Sequence, residues 1–284
     1  MTMLIIGATG NVGSHLVETL RQCDSPMIVA ARDVTRTRAK LGLQYDYRHL
    51  HFQDSSTFVP SLEGIEQVYL VCPADLRDVP HTIGQFIQTA AAQGVEHVVF
   101  LSLLGVEHNR IVPHNRVERM IEDSGMDWTF LRASLFMQNF SKMHRDDIRL
   151  SGELFLPAGY GALNFIDVRD VADVAAQALL DNTHRNQAYE LTGDAALTYT
   201  EVAAIFSDVL GRRIRYTNAS SDQFVSALMW RGVPLQQTLS MNALYSTARM
   251  SMVEIATPQD TAGVLGHHPI SLRQFIQDYR SVWL

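Results

Sequence analysis

The stretch "LIIGATGNVGSH", residues 4–15, joins an apolar run, Leu4, Ile5 and Ile6, to three glycines at positions 7, 10 and 13. An apolar run with no polar alternation predicts a strand covered on both faces. The residues beyond Gly10 predict a helix over 11–22. Closely spaced glycines between strand and helix let the backbone turn tightly and approach a ligand. The N–H groups of the helix's first turn, with its dipole, then favour a pyrophosphate. The spacing is GxxGxxG rather than GxGxxG, and Ser14 follows Gly13 where an NTPase phosphate loop would carry lysine. Gly7, Thr9, Gly10, Asn11, Val12 and Gly13 are therefore candidate dinucleotide contacts, Thr9 and Asn11 through short polar side chains.

Outward from this turn, strands are expected at 3–7, 27–31, 49–52, 67–72, 97–102 and 127–133. Helices alternate with them near 11–22, 34–41, 56–62, 80–93 and 113–124. Such alternation implies right-handed βαβ units and a parallel sheet with helices on both faces. The expected fold is α/β: a Rossmann-type, doubly wound parallel sheet with a smaller, helix-rich C-terminal substrate region. Residues 1–133 form the expected dinucleotide-binding domain, with 167–192 returning to it, and 134–284 mainly the substrate-binding or lid region. In that second part helices are expected near 168–181, 199–210, 221–230, 235–248 and 271–281, with a further strand at 187–191.

The composition of the 284 residues is ordinary, 46% hydrophobic and 19% charged, and the formal charge is −7. That balance argues against a protein built around nucleic-acid phosphates, which needs a basic face. Cys23 and Cys72 both fall in apolar segments and are expected as buried free thiols of a reducing compartment. No signal peptide and no membrane-spanning run is visible, so a cytoplasmic protein without a membrane partner is expected.

The second strand bears on the dinucleotide. An acidic residue about 20 positions on selects NAD by binding the ribose 2′-OH, whereas arginine accommodates the 2′-phosphate of NADP. Here the strand runs into "VAARDVTRTR", with Arg32 at its tip and Arg36 and Arg38 beyond. Arg32 and Arg36 favour NADP(H), with NAD(H) as the alternative; at least one of Arg36 and Arg38 is a solvated helix charge. Asp54, after the third strand, either accepts from the adenine amine or caps the following helix. Cys72, Pro73 and Leu101, toward the ends of the fourth and fifth strands, complete the candidate cofactor contacts.

At this point the chain resembles an NmrA-like member of the atypical short-chain dehydrogenase/reductase family. The likeness is carried by "IIGATGNVGSHLVETL", "EGIEQVYLV", "AAQGVEHVVFLSLLGV", "SGMDWTFLRASLFMQNF", "LPAGYGALNFIDVRDVA" and "AYELTGDAALTYTEVAAIFSDVLGRRI". The resemblance implies a nicotinamide at the C-terminal edge of the sheet under a lid from the smaller region. It also implies a Tyr and a Lys four residues on, at the helix after the fifth strand. In "RIVPHNRVERMIEDSG" those positions fall on Arg110 and His114, so the pair is absent, and Glu118 takes the acidic position one turn later. His114 either donates a proton, since imidazole titrates near neutrality, or caps and packs at the helix start. Ser102 either sits beside the substrate carbonyl or satisfies the end of its strand.

By the same resemblance Phe136 and Asn139, in "SLFMQNF", line the substrate pocket, joined by Phe165 and by Tyr160 in the lid candidate "PAGYG". Eleven histidines include no HExxH and no ligand-spaced Cys/His cluster, so no metal is expected. Two functions remain open. One is an NAD(P)H-dependent oxidoreductase reducing a small conjugated, quinone- or imine-type acceptor without the Tyr–Lys pair. The other is a non-catalytic NADP(H)- or NAD(H)-binding redox sensor that regulates a protein partner. A small-molecule substrate is the expected partner, an aromatic one suiting the expected pocket, and a homo-oligomer is compatible with the chain.

Overall fold

The computed structural model describes residues 1–73, 78–249, 257 and 259–284. In chain order it shows β1 (Met3–Ile6), α1 (Asn11–Gln22), β2 (Met27–Ala31), α2 (Val34–Leu41), β3 (Asp46–His49), α3 (Phe58–Leu62), β4 (Gln67–Val71), α4 (Gln85–Ala92), β5 (His97–Leu103), α5 (Pro113–Glu122) and β6 (Asp127–Ala133). There follow β7 (Leu135–Phe136), α6 (Gln138–Ser141), β8 (Glu153–Leu156), β9 (Leu163–Ile166), α7 (Val168–Leu180), β10 (Gln187–Leu191), β11 (Ala196–Leu197), α8 (Tyr199–Leu210), β12 (Arg215–Asn218), α9 (Ser221–Trp230), α10 (Leu235–Arg249), α11 (Gln259–Leu265) and α12 (Leu272–Asp278). Two compact units emerge. The first comprises Met1–Ala133, Val168–Leu191 and Gly263–Gly266; the second comprises Ser134–Asp167, Thr192–Ala262 and His267–Leu284.

The first unit is built on a seven-stranded sheet in the order β3-β2-β1-β4-β5-β6-β10. Every pairing in it is parallel. The strand order reverses between β1 and β4, which opens a crevice at the carboxyl ends of the strands. Alternate strand residues supply each face: Leu4, Ile6, Val68, Leu70, Val98 and Phe100 meet Phe58 of α3, Phe86 of α4, and Val117 and Ile121 of α5 in one buried cluster. Helices α1 and α7 pack on each other, with Thr19 Oγ1 donating to Asp173 Oδ1 at 3.0 Å.

β3 departs from expectation. It covers 46–49 instead of 49–52, because it pairs only with β2, in the register Ile28↔Asp46 to Ala31↔His49. An outermost strand buries little on either side, so its residues need no apolar pattern. The apolar alternation of Leu50 and Phe52 lies just beyond it and feeds the core instead. Cys23 also departs: it closes α1 and is exposed, while Cys72 is half-buried, and both are free thiols.

The second unit contains a three-stranded sheet, β11-β9-β7, and the parallel pair β12-β8. Its core is rich in rings: Phe140, Phe165, Tyr199, Phe206, Tyr245 and Trp283. Capping boxes start two of its helices, Thr198 with Glu201 at α8 and Ser220 with Gln223 at α9. Each satisfies orphan N–H groups at both ends of the box. No helix among the described residues is long and apolar enough to cross a membrane.

Candidate active site

Space forces the glycine turn. Gly7 has φ +78°, and a Cβ there would lie 2.7 Å from Val71 Cγ2. At Gly13 a Cβ would come within 2.2 Å of the Gly7 carbonyl oxygen, so only glycine lets α1 pack this closely on the turn. Gly10 N donates to Gly7 O at 2.8 Å. The first turn of α1 carries neither a side-chain cap at Gly10 nor an acidic residue, so no carboxylate of that turn offsets the positive end of its dipole. Val12 is buried beneath this turn.

A cleft of about 580 Å³ lies over the carboxyl ends of β1 to β4, lined by Ile6–Thr9, Ala30–Asp33, Arg36, Thr37, Lys40, Leu50–Gln53, Val71 and Pro73. Of the residues expected to bind a dinucleotide, Gly7, Thr9, Arg32, Arg36 and Pro73 line it. Gly10, Asn11, Val12 and Gly13 form the turn and helix start beside it. Cys72 is half-buried between Val71 and Pro73, and burial pushes its thiol up to about 11, so it is neutral near pH 7. Leu101 is half-buried on β5 and does not line the cleft. Asp54 is turned to its own backbone: its carboxylate accepts from Ser56 N at 3.1 Å and Ser56 Oγ at 2.6 Å, which places it as a cap.

The rim decides the electrostatics. Asp33, the one acid lining the cleft among the described residues, caps α2 by accepting from Arg36 N at 2.9 Å. Arg32, Arg36 and Lys40 line the same cleft, and Lys40 Nζ donates to Thr9 O at 2.7 Å, tying α2 to the glycine turn. Lys40 escaped the sequence reading because its relevance depends on α2 folding back over residue 9. Arg38 sits instead over the Tyr47 ring, 5.2 Å from its centroid.

At the carboxyl end of β5, Ser102 Oγ donates to Glu118 Oε1 at 2.6 Å. Glu118 in turn accepts from Arg132 Nη2 at 2.8 Å and Nε at 3.2 Å, and Arg132 Nη1 pairs with Glu107 at 3.0 Å. The Ser102 hydroxyl proton is thus committed to a buried carboxylate. His114 stands in the first turn of α5 with its ring 5.9 Å from that of Phe100. Burial alone holds its pKa down at about 4. The imidazole is therefore uncharged at pH 7.

The residues expected in a substrate pocket belong to the second unit. Phe165 is 2% exposed and packs between Phe140 and Tyr199, with centroids at 5.4 and 5.6 Å. It belongs to the buried ring cluster of the second unit. Phe136 and Asn139 are half-buried, and Asn139 O accepts from His144 N at 3.0 Å. Tyr160 is 71% exposed, edge-on to Tyr216 at 6.1 Å. Beside it Gly159 is held at both backbone groups, donating to Asn218 Oδ1 at 3.1 Å and accepting from Tyr216 Oη at 2.8 Å.

A family model described as the NmrA-like family matches residues 1–256. The chain belongs to the NmrA-like family. Among its relatives is the NAD(P)H azoreductase of Xenophilus azovorans, 33% identical over 271 residues that span 94% of this chain and 91% of that protein. Solved structures share the fold. The NADPH-dependent quinone oxidoreductase of Escherichia coli, complexed with NADPH, superposes with a TM-score of 0.89 at 24% identity, covering 98% of this chain and 99% of that one. The triphenylmethane reductase of a Citrobacter species, complexed with NADP(H), gives 0.88 at 21% identity over 98% and 99%. The Rossmann-type architecture expected from the alternating pattern is the one observed.

Proposed function

We propose that the protein is an NAD(P)H-dependent reductase that binds NADPH in preference to NADH and reduces a small conjugated acceptor. The observation that carries this reading is the cleft at the strand-order reversal, lined both by a backbone cradle and by three cations. Both neighbours of the cradle require glycine, since a Cβ at position 7 or 13 would collide with Val71 or the Gly7 carbonyl. A dinucleotide pyrophosphate fits such a cradle. Arg32, Arg36 and Lys40 line the same cleft, where Asp33 is the one acid among the described residues, and Asp33 is engaged by the α2 backbone. A 2′-phosphate suits this rim better than a bare ribose hydroxyl. Similarity to an NAD(P)H azoreductase supports the reaction class.

When bound, the reduced nicotinamide supplies hydride. The chain's own residues hold the dinucleotide, keep Ser102 fixed on Glu118 and present an uncharged His114. No Tyr–Lys pair is required for an acceptor that takes hydride at a conjugated system, because the charge left behind is spread over that system. The second unit is assigned to acceptor recognition, with Phe136, Asn139 and Tyr160 as its candidates.

Fluorescence titration with NADPH and NADH, followed by a quinone and imine panel in the same cuvette, tests the reading. Tighter binding of NADPH and its rapid oxidation by one acceptor class is the expected result. Binding without turnover across the panel would replace the reductase by a dinucleotide-responsive regulator, and absence of binding would remove both.

A further inference from the structure

His114 is the buried titratable group that the proposed reaction leaves without a task. It follows Pro113 in the first turn of α5, beyond the carboxyl end of β5. That edge of an open parallel sheet is where ligands bind. The ring is half-buried and tilted 31° to Phe100. Its Nδ1 is enclosed by protein and has no hydrogen-bond partner among the described residues.

An uncharged imidazole carries one proton on one of its two nitrogens. Placed on Nδ1, that proton would be an enclosed N–H with no acceptor among the described residues, the rarest and costliest kind of orphan. Placed on Nε2, it leaves Nδ1 with a lone pair and gives the rest of the ring an N–H to offer. Burial holds the ring's pKa at about 4, so this N–H is a neutral donor near pH 7, not an acid. A donor discriminates between acceptor chemistries. A carbonyl oxygen of a quinone has lone pairs to receive it, and a protonated imine nitrogen has none.

We propose that His114 donates through Nε2–H to a carbonyl oxygen of a quinone-type acceptor and so sets the acceptor class, an assignment that rests on the reductase reading above. In the balanced step the quinone takes two electrons and one hydrogen as hydride from the reduced nicotinamide, which becomes the oxidised cation. The product is a hydroquinone monoanion whose negative oxygen faces Nε2–H. His114 keeps its proton, and water supplies the second one to complete the hydroquinone. The hydrogen bond strengthens as charge develops on that oxygen, which is where a fixed donor accelerates a reaction.

The test uses full-length protein labelled with ¹⁵N, with 2-methyl-1,4-naphthoquinone as the oxygen-acceptor probe and N-methyl-3,4-dihydroisoquinolinium as the cationic comparator. Imidazole ¹⁵N spectra are expected to show the Nε2–H tautomer of His114 at pH 7, and naphthoquinone is expected to shift its Nε2 resonance. Affinity for the naphthoquinone, read by tryptophan quenching without dinucleotide, should fall about fivefold in His114→Phe, the size of one lost hydrogen bond. His114→Gln, whose amide nitrogen reaches the Nε2 position, should restore it, whereas His114→Asn, which mimics Nδ1, should not. Affinity for the isoquinolinium should be the same in all four proteins. An Nδ1–H tautomer, an Nε2 resonance indifferent to naphthoquinone, or rescue by Asn instead of Gln would overturn the assignment. Failure to bind NADPH would overturn the reductase reading alone and leave these spectra as they are, so the two failures are distinguishable.

Discussion

Removing the Glu118 carboxylate tests the network beside the site. Glu118 is 4% exposed and receives three hydrogen bonds, one from Ser102 and two from Arg132. In Glu118→Leu the guanidinium of Arg132, 17% exposed, keeps its ion pair with Glu107 but loses its most buried partner, and the Ser102 hydroxyl, in a residue 1% exposed, loses its acceptor. Breaking a buried pair from one side costs about 3–5 kcal/mol, because the stranded charge is the expensive part. The surviving Glu107 contact pulls this toward the lower end, and the orphaned hydroxyl adds about 1 kcal/mol. A net loss of about 4 kcal/mol is expected, read as a fall in the urea midpoint at constant slope. In Glu118→Leu/Arg132→Met/Ser102→Ala all three partners are replaced together, and the loss should shrink to about 1 kcal/mol or less. If the triple variant is as unstable as the single one, the cost lies in packing and the charge argument fails. If the single variant loses less than about 1 kcal/mol, the pair is solvated and the burial argument fails.

Four further outcomes follow from the same structure. Gly13→Ala puts a methyl 2.2 Å from the Gly7 carbonyl, so it should cost about 1–3 kcal/mol of stability and abolish tight NADPH binding; unchanged affinity by titration would refute the cradle. Arg32→Ala should weaken NADPH about tenfold, the loss of one charge-assisted hydrogen bond, with NADH nearly unaffected, and equal losses for both would refute the rim assignment. His97 and His114 are each lowered from 6.5 to about 4, His97 by burial first and then by Arg185. The unfolded chain therefore binds more protons than the native one between those values, so stability is full above pH 6.5 and is lost as pH falls toward 4, by up to about 3 kcal/mol for each ring. Urea midpoints from pH 7.5 to 4.5 should fall accordingly, less steeply in His97→Gln. The Tyr69 hydroxyl is buried with no partner among the described residues, so Tyr69→Phe should raise stability by about 1 kcal/mol; a loss in calorimetry would mean the hydroxyl is satisfied.

The parts of the fold legible in the chain are those set by neighbours in sequence. The apolar runs of β1, β2, β4, β5 and β6 could be placed because strands covered on both faces have no other pattern. Helices α8 and α9 begin where expected, at 199 and 221, and each start is fixed locally, Thr198 with Glu201 and Ser220 with Gln223 capping within one turn. The glycine turn was legible for the same reason: GxxGxxG between strand and helix is a local steric demand. It was enough to indicate a Rossmann-type fold and, with Arg32 at the tip of β2, one of the cations that line the cleft.

What residues do with their neighbours in space was decided only by the tertiary structure. β3 slid three residues because its register comes from β2, not from its own side chains. Phe165 became core because β9 pairs with β7 and turns the ring toward Phe140 and Tyr199. Asp33 and Asp54 were taken by backbone amides, while Lys40 was brought 31 positions back to Thr9. Ser102 and His114 show the limit most sharply. A serine and a histidine in sequence are a nucleophile or acid in waiting, and their chemistry follows from burial and partners. Glu118, 16 positions on, takes the serine's proton, and desolvation against Phe100 leaves the imidazole neutral. Sequence determines which groups are present and which turns the backbone must make; long-range packing determines which of them keep a proton, a charge or a free hand, because hydrogen bonding and dielectric environment are properties of the folded surroundings and not of the residue.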